Sequence, residues 1–250
     1  ALRLSRGVFR VEDLEKAFNE QKYIGRIRYL GEKEVRNGKD GTSVSREVYS
    51  TDAMIKLENG IKDDFIQGKG NIKQLISRND ALKELSHYND RLVKDVRLTT
   101  DQITAAAHIL SSPDRFSIIQ GDAGTGKTHS LKAVADILEG KDVVIRGLGF
   151  TGKSAGELEH ASGIKSGTIH GFLAKQTIGK ETEHTVGKEV WIVDESSMVG
   201  SGQMSKIVEL AKAIDARVVF IGDAKQLQSI QAGKLFSDLQ DKGLVEHVIM

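Results

Sequence analysis

The spacing of apolar residues changes near residue 97. Before it the spacing is helical: Val11, Leu14 and Phe18 fall at i, i+3 and i+7, and Met54, Leu57, Ile61 and Phe65 repeat one face. Ser50, Thr51 and Asp52 are residues that cap helix starts, so the second helix is expected to begin there. Between the helices, residues 26–30 and 44–49 read as short strands, with Asn37-Gly38 and Asp40-Gly41 favouring a turn between them. Residues 1–97 are therefore expected to form a small α+β domain of helices around a hairpin. After residue 97 the runs 116–120, 142–145, 190–193 and 217–221 are apolar without polar alternation, and helical segments follow most of them. Strands buried on both faces and alternating with helices imply a parallel sheet with helices on both sides. Residues 98–250 are thus expected to form an α/β domain whose ligand sits at the carboxyl ends of the strands. The single proline, Pro113, stands just before the first of these strands.

Composition adds exclusions. Hydrophobic residues at 39% support a packed core, and 28% charged residues are ordinary for a soluble chain. The net charge of +1 does not decide for or against a nucleic-acid partner, because a basic stripe is hidden in a total. Residues 21–50 carry seven Lys/Arg against four Asp/Glu. That excess reads either as a solvated hairpin or as a surface meeting DNA phosphates. The absence of cysteine excludes a disulfide framework, a thiolate zinc site and a cysteine nucleophile, and fits a reducing cytoplasm. No apolar run approaches the roughly 20 residues that span a bilayer, and residues 1–10 lack a signal-peptide core. A chain that opens without Met and stops on the apolar run Val248-Ile249-Met250 reads as a fragment.

The chemistry is concentrated at predicted strand ends. Gly121, Asp122, Ala123, Gly124, Thr125, Gly126, Lys127 and Thr128 match the Walker A pattern in full, between a strand and a helix. Glycines let backbone N–H groups reach phosphate oxygens, and the following helix, which includes His129, points its positive end at the same anion. Lys127 supplies a charge for the β- and γ-phosphates, and the Thr128 hydroxyl is a magnesium ligand. Trp191-Ile192-Val193 ends in Asp194 and Glu195. Asp194 suits magnesium, and Glu195 is in position to take a proton from the attacking water. No Asn-Lys-x-Asp element for reading guanine is present. Gly222-Asp223-Ala224-Lys225-Gln226-Leu227 follows the last strand; it is either a plain strand-to-loop transition or a place where Gln226 senses the γ-phosphate.

In this order the motifs resemble superfamily 1 helicases of the RecD-like branch. Gln102, in Leu98-Thr99-Thr100-Asp101-Gln102, looks like the glutamine that reads adenine in this superfamily. Phe150-Thr151-Gly152-Lys153-Ser154-Ala155 resembles a loop that touches single-stranded DNA, and Thr168-Ile169-His170 resembles the branch's Thr-x-His element. Asp194 to Gly200 and Gly222 to Leu227, with Gly233 after it, are similar to its later motifs. Within the branch the likeness is to the helicase region of conjugative relaxase–helicases, the TraI-type proteins. It rests on Gly147 to Thr151, on Asp-Glu-Ser-Ser-Met-Val-Gly and on Gln226-Leu227-Gln228, where many other RecD-like helicases have proline at the position of Gln228. The likeness is strong over 98–250 and faint before it, where Tyr49 to Met54 resembles a helix entry in the preceding accessory domain.

The resemblance implies a RecA-like P-loop NTPase that uses ATP and Mg2+ as a 5′-to-3′ DNA helicase on plasmid DNA in conjugation. It implies a bacterial cytoplasmic protein, expected to act as a monomer without a membrane partner. The relaxase and the second motor domain would be other parts of the same polypeptide, the latter starting where this chain stops. Thr151, Ser154 and Thr168 offer hydroxyls to DNA phosphates and Lys153 offers charge. His170 either stacks on a base or packs in the core, and Phe172 is expected to pack. Two alternatives stay in play: a RecD-like helicase of repair and recombination, and a helicase-like module that grips single strands without hydrolysis. The intact Lys127, Thr128, Asp194 and Glu195 speak against the second.

Overall fold

The structure, a computed structural model, describes residues 11–36, 43–121, 125–177, 184–223, 235–241 and 247–249. It divides into two compact units, Ala1–Asn59 and Gly60–Met250.

In the first unit, helix α1 (Val11–Tyr23) precedes an antiparallel ribbon of β1 (Ile27–Arg36) and β2 (Ser43–Thr51). The pairing shifts by one residue between Tyr29 and Gly31, so Leu30 forms a bulge. Phe18 packs edge-on against Tyr49 at 5.1 Å, and Lys22 Nζ donates to the Tyr49 hydroxyl at 2.6 Å. The expected turn at residues 37–41 lies outside the described residues. Helix α2 (Asp52–Gln67) starts as expected, with Thr51 Oγ1 accepting from Met54 N.

The second unit is a six-stranded parallel sheet in the order β5-β4-β6-β7-β3-β8. Its strands are β3 (Phe116–Gln120), β4 (Val144–Gly149), β5 (Ser166–Thr168), β6 (Glu189–Val193), β7 (Arg217–Gly222) and β8 (His247–Ile249). Helices α3 (Arg78–Arg91), α4 (Thr100–Ser111), α5 (Lys127–Leu138) and α6 (Gly152–Ser162) contribute to one core with Ile119, Val190, Ile192, Val219 and Ile221. On alternate positions of the same strands, Phe116 and Phe220 meet Phe65 at 5.0 and 5.6 Å, and Trp191 meets Phe172 of α7 (Ile169–Thr177) at 4.9 Å. Helices α8 (Ser201–Ala213) and α9 (Leu235–Asp241) complete the unit.

Two expectations change. The boundary at residue 97 falls inside the second unit, because α3 buries Ala81, Leu85 and Tyr88 in the same core as α4 and α5. Helical spacing says which face is apolar and not what covers it. The strand expected at 142–145 is β4, two residues later and running to Gly149. Its glycines look like loop in sequence, yet a Cβ on Gly147 would meet Ser166 Oγ at 2.0 Å and one on Gly149 would meet Ala155 N at 2.5 Å. The final apolar run gives Val248 and Ile249 to β8, paired with β3 through Ile119↔Val248.

Arg217 ties the sheet to its surroundings. Its buried guanidinium donates to the carbonyls of Ile109 and Ser112 at the end of α4, and to that of Lys73 at 3.1 Å. Burial lowers its pKa to about 10, against the charge of Asp114.

Candidate nucleotide site

Register brings three motifs to one edge of the sheet. Gln120 pairs with Gly222, Val193 with Phe220 and Leu148 with Val193, so β3, β7, β6 and β4 end together. The phosphate loop leaves β3 and the acidic pair leaves β6, with β7 and its Gly222-Asp223 between them.

Gly121 N donates to Gly222 O at 3.0 Å, which anchors the loop to β7. Lys127 Nζ donates to Gly121 O at 2.9 Å, and a Cβ on Gly121 would lie 2.5 Å from the Lys127 side chain. Gly126 caps α5 with φ +75, where glycine is favoured, and a Cβ there would lie 2.3 Å from Gln102 Nε2. Thr128 and His129 stand half-buried in the first turn of α5, whose positive end faces the loop. Asp122, Ala123 and Gly124 lie outside the described residues.

Gln102 is brought to the site by a capping box. Its Oε1 accepts from Thr99 N at 3.0 Å while Thr99 Oγ1 accepts from Gln102 N. Its Nε2 donates to Thr125 O at 2.8 Å, so the residue expected to read adenine also holds the phosphate loop.

Asp194 is placed by β4, with its N–H on Leu148 O at 2.9 Å, and its Oδ1 accepts from Glu195 N at 2.8 Å. Burial pushes its carboxyl above the usual range, while that N–H and the Lys127 charge pull it back. Glu195 has φ 53 and ψ 36. A left-handed non-glycine residue is strained, and such residues gather at functional sites. Buried Ser196 donates to Val193 O at 2.7 Å and starts the 3-10 turn Ser196–Met198, on which Gly222 packs so closely that a Cβ would meet Ser197 N at 2.9 Å.

Sequence reasoning missed part of the network beside the loop. Gln120 Nε2 donates to buried Asp223 at 3.1 Å, and Gln240 Nε2 of α9 donates to Gln120 Oε1 at 3.0 Å. The signal was there: Gln120 is a lone amide closing an otherwise apolar run. Gln226 lies outside the described residues.

The pairing Gly149↔Thr168 sets the starts of α6 and α7 side by side at the same sheet edge. Thr151 and Lys153 are exposed, and Lys153 lies 3.7 Å from Glu157. Thr168 Oγ1 accepts from Gly171 N at 3.0 Å. His170 is exposed, which removes the alternative that it packs in the core, and Phe172 is buried as expected. Ser154 differs from its expected role. It is buried, its Oγ accepts from Thr151 N at 2.9 Å, and its N–H donates to Thr151 Oγ1, so it holds Thr151 rather than facing solvent.

Residues 97–249 match the model of an AAA domain. The chain is 34% identical over 146 residues to the probable conjugal transfer protein TraA of Sinorhizobium fredii, covering 58% of this chain and 13% of that protein. It is 34% identical over 160 residues to the multifunctional conjugation protein TraI of Escherichia coli, covering 62% and 9%. It is 34% identical over 121 residues to the ATP-dependent RecD2 DNA helicase of Deinococcus radiodurans, covering 48% and 17%. The chain thus spans a small part of the relatives it matches. Among solved structures, the UvsW helicase from bacteriophage T4 aligns over 72% of this chain and 69% of its own, at 14% identity and a TM-score of 0.48. Over the segment that builds the phosphate loop and its neighbouring strand ends, the chain belongs to the AAA-domain family.

Proposed function

We propose that this chain is the first motor domain of an ATP-dependent DNA helicase that moves 5′ to 3′ on single-stranded DNA and unwinds plasmid DNA during conjugation. The observation that carries the reading is the convergence of the phosphate loop, Asp194-Glu195 and Gly222-Asp223 on one sheet edge. The similarity to TraA and TraI supplies the biological setting.

Each residue has a role in that reading. Lys127 leaves Gly121 O and binds the β- and γ-phosphates, while the loop's N–H groups and the start of α5 hold the triphosphate. Gln102 reads adenine, which favours ATP. Thr128 and Asp194 would hold Mg2+; a hydroxyl and one carboxylate are the hard oxygen donors that this ion takes beside phosphate. When bound, the ion neutralises charge on the phosphates. Glu195 accepts the proton of the attacking water, and Gln226 senses the γ-phosphate. Thr151, Lys153, Thr168 and His170 contact the strand from the starts of α6 and α7, with Ser154 fixing Thr151.

The motor domain takes in residues 60–97 as well as 98–250, since α3 belongs to its core. The rest of the polypeptide would supply the relaxase and the second motor domain, and the protein works as a monomer in the bacterial cytoplasm. Among the described residues no helix is long and apolar enough to cross a membrane. The 34% identity to RecD2 favours a second reading, a helicase of repair. A relaxase sequence upstream would decide between the two.

Titration with a fluorescent ATP analogue tests the nucleotide site. Lys127→Ala should weaken binding by about tenfold to a hundredfold, the worth of a charge-assisted phosphate contact. Equal affinity for both forms would sink the assignment.

A further inference from the structure

The β1–β2 ribbon sorts its charges by face. The pairings Arg28↔Ser50, Lys33↔Arg46 and Val35↔Val44 alternate with Tyr29↔Tyr49, Glu32↔Glu47 and Glu34↔Ser45. One face therefore carries Arg28 and Arg46, and the other carries Glu32 and Glu47. Helix α1 packs on the acidic face, through Phe18 and Lys22 on Tyr49. On the basic face Arg28, Val44 and Arg46 are exposed.

This sorting works against the ribbon's own stability. Lys33 stands directly across from Arg46, and Glu32 directly across from Glu47. Like charges directly opposite are destabilising, and exchanging Lys33 with Glu32 would turn both repulsions into attractions. The acidic pair is relieved locally, since Ser45 Oγ donates to Glu32 at 2.6 Å and the Tyr49 hydroxyl donates to Glu47 at 2.6 Å. Relief for the cations would come from an anionic partner. Just before β1, Arg26 adds a further cation, and residues 22–30 carry no acid. Arg28 meets Asp52, but an exposed pair of this kind is weak and exchanges readily for phosphate.

We infer that the basic face of the ribbon binds the phosphate backbone of a nucleic acid. Arg28 and Arg46 lie on one face of an extended ribbon, and each phosphate contact adds affinity without reading sequence. The contact does not depend on nucleotide hydrolysis.

Fluorescence anisotropy of the whole chain, without nucleotide, tests this with labelled oligothymidylate and with a duplex over a series of salt concentrations. Arg46→Glu should weaken binding and reduce the steepness of log affinity against log salt by about 0.7 for the lost contact on a single strand, or about 0.9 on a duplex. Arg46→Lys should keep the parental slope. Lys16→Glu, the same charge change on α1, should leave the slope alone. The unfolding midpoint of Arg46→Glu should not fall below the parent's, since Lys33 stands opposite, and its ATP-analogue affinity should match the parent's, which separates this contact from the nucleotide site and from a folding defect. The pattern supports the inference with either nucleic acid, and the relative affinity says which form is preferred. Equal losses in Arg46→Glu and Lys16→Glu would reduce the effect to net charge and overturn the inference. So would absence of binding, or an Arg46→Glu effect confined to self-association in sedimentation.

Discussion

Strand β6 carries a carboxylate at each end, and the two live in opposite conditions. At the amino end, buried Glu189 accepts from Arg146 Nε at 3.1 Å, Trp191 Nε1 at 2.7 Å and Thr185 N at 2.9 Å, and lies 3.1 Å from His184 Nδ1. Burial pushes its pKa up, but the donors from Arg146, Trp191 and Thr185 outweigh it and hold the carboxyl below its ordinary 4.5. At the carboxyl end, burial wins for Asp194, and the next residue, Glu195, has a left-handed backbone. One end is saturated with donors and stabilises the sheet. The other leaves charge under-compensated and backbone strained, the condition of a site that completes its coordination with a ligand.

The largest way to sharpen this contrast is to remove the carboxylate of Glu195, the proposed proton acceptor, alone. Glu195→Gln in the full-length parent should lower DNA-stimulated hydrolysis by about 10²–10⁴-fold, the usual worth of a general base, with nucleotide affinity and stability unchanged. Phosphate release in the steady state measures it, and near-normal turnover would mean that another group handles the water.

Next comes the saturated end. Glu189→Ala removes the acceptor of the Arg146 Nε and Trp191 Nε1 hydrogen bonds, and should destabilise the chain by about 3 kcal/mol. Because the folded pKa is depressed, the contribution is fully present above the ordinary 4.5 and is lost as pH falls through the lower folded value. The difference in denaturation midpoint between parent and Glu189→Gln should therefore be largest at neutral pH and shrink well below 4.5. A difference that stays constant with pH would break the comparison.

The smallest expected effect runs the other way. Glu195→Gly relieves the left-handed backbone and should raise stability by about 1 kcal/mol while abolishing hydrolysis. Chemical denaturation decides it, and a loss of stability would show that Glu195 is held by contacts worth more than its strain.

What was legible in the sequence follows from distance along the chain. Gly121, Gly126, Lys127 and Thr128 are neighbours whose chemistry demands those residue types locally, and the buried strands show as unbroken apolar runs. The bond from Gln102 to Thr125 was not legible, because it joins two separate elements. Ser154 looked like a DNA contact because a hydroxyl in a loop motif and a hydroxyl in a capping box have the same letter. The Gln240–Gln120–Asp223 network spans 120 and 103 residues, and no local pattern reports such pairings. The left-handed backbone of Glu195 was hidden for a different reason: glutamate is a poor advertisement for that conformation.

The hydrogen bond from Gly121 to Gly222 also sets a birth order. Strand β3 sits between β7 and β8, both of which come after it in the chain. At a synthesis rate of about 5–20 residues per second, the stretch from the phosphate loop to its anchor on β7 takes roughly 5–20 seconds to emerge. A nascent chain therefore carries a complete Walker A sequence well before it carries a nucleotide pocket, and ATP can favour folding only after β7 has left the ribosome.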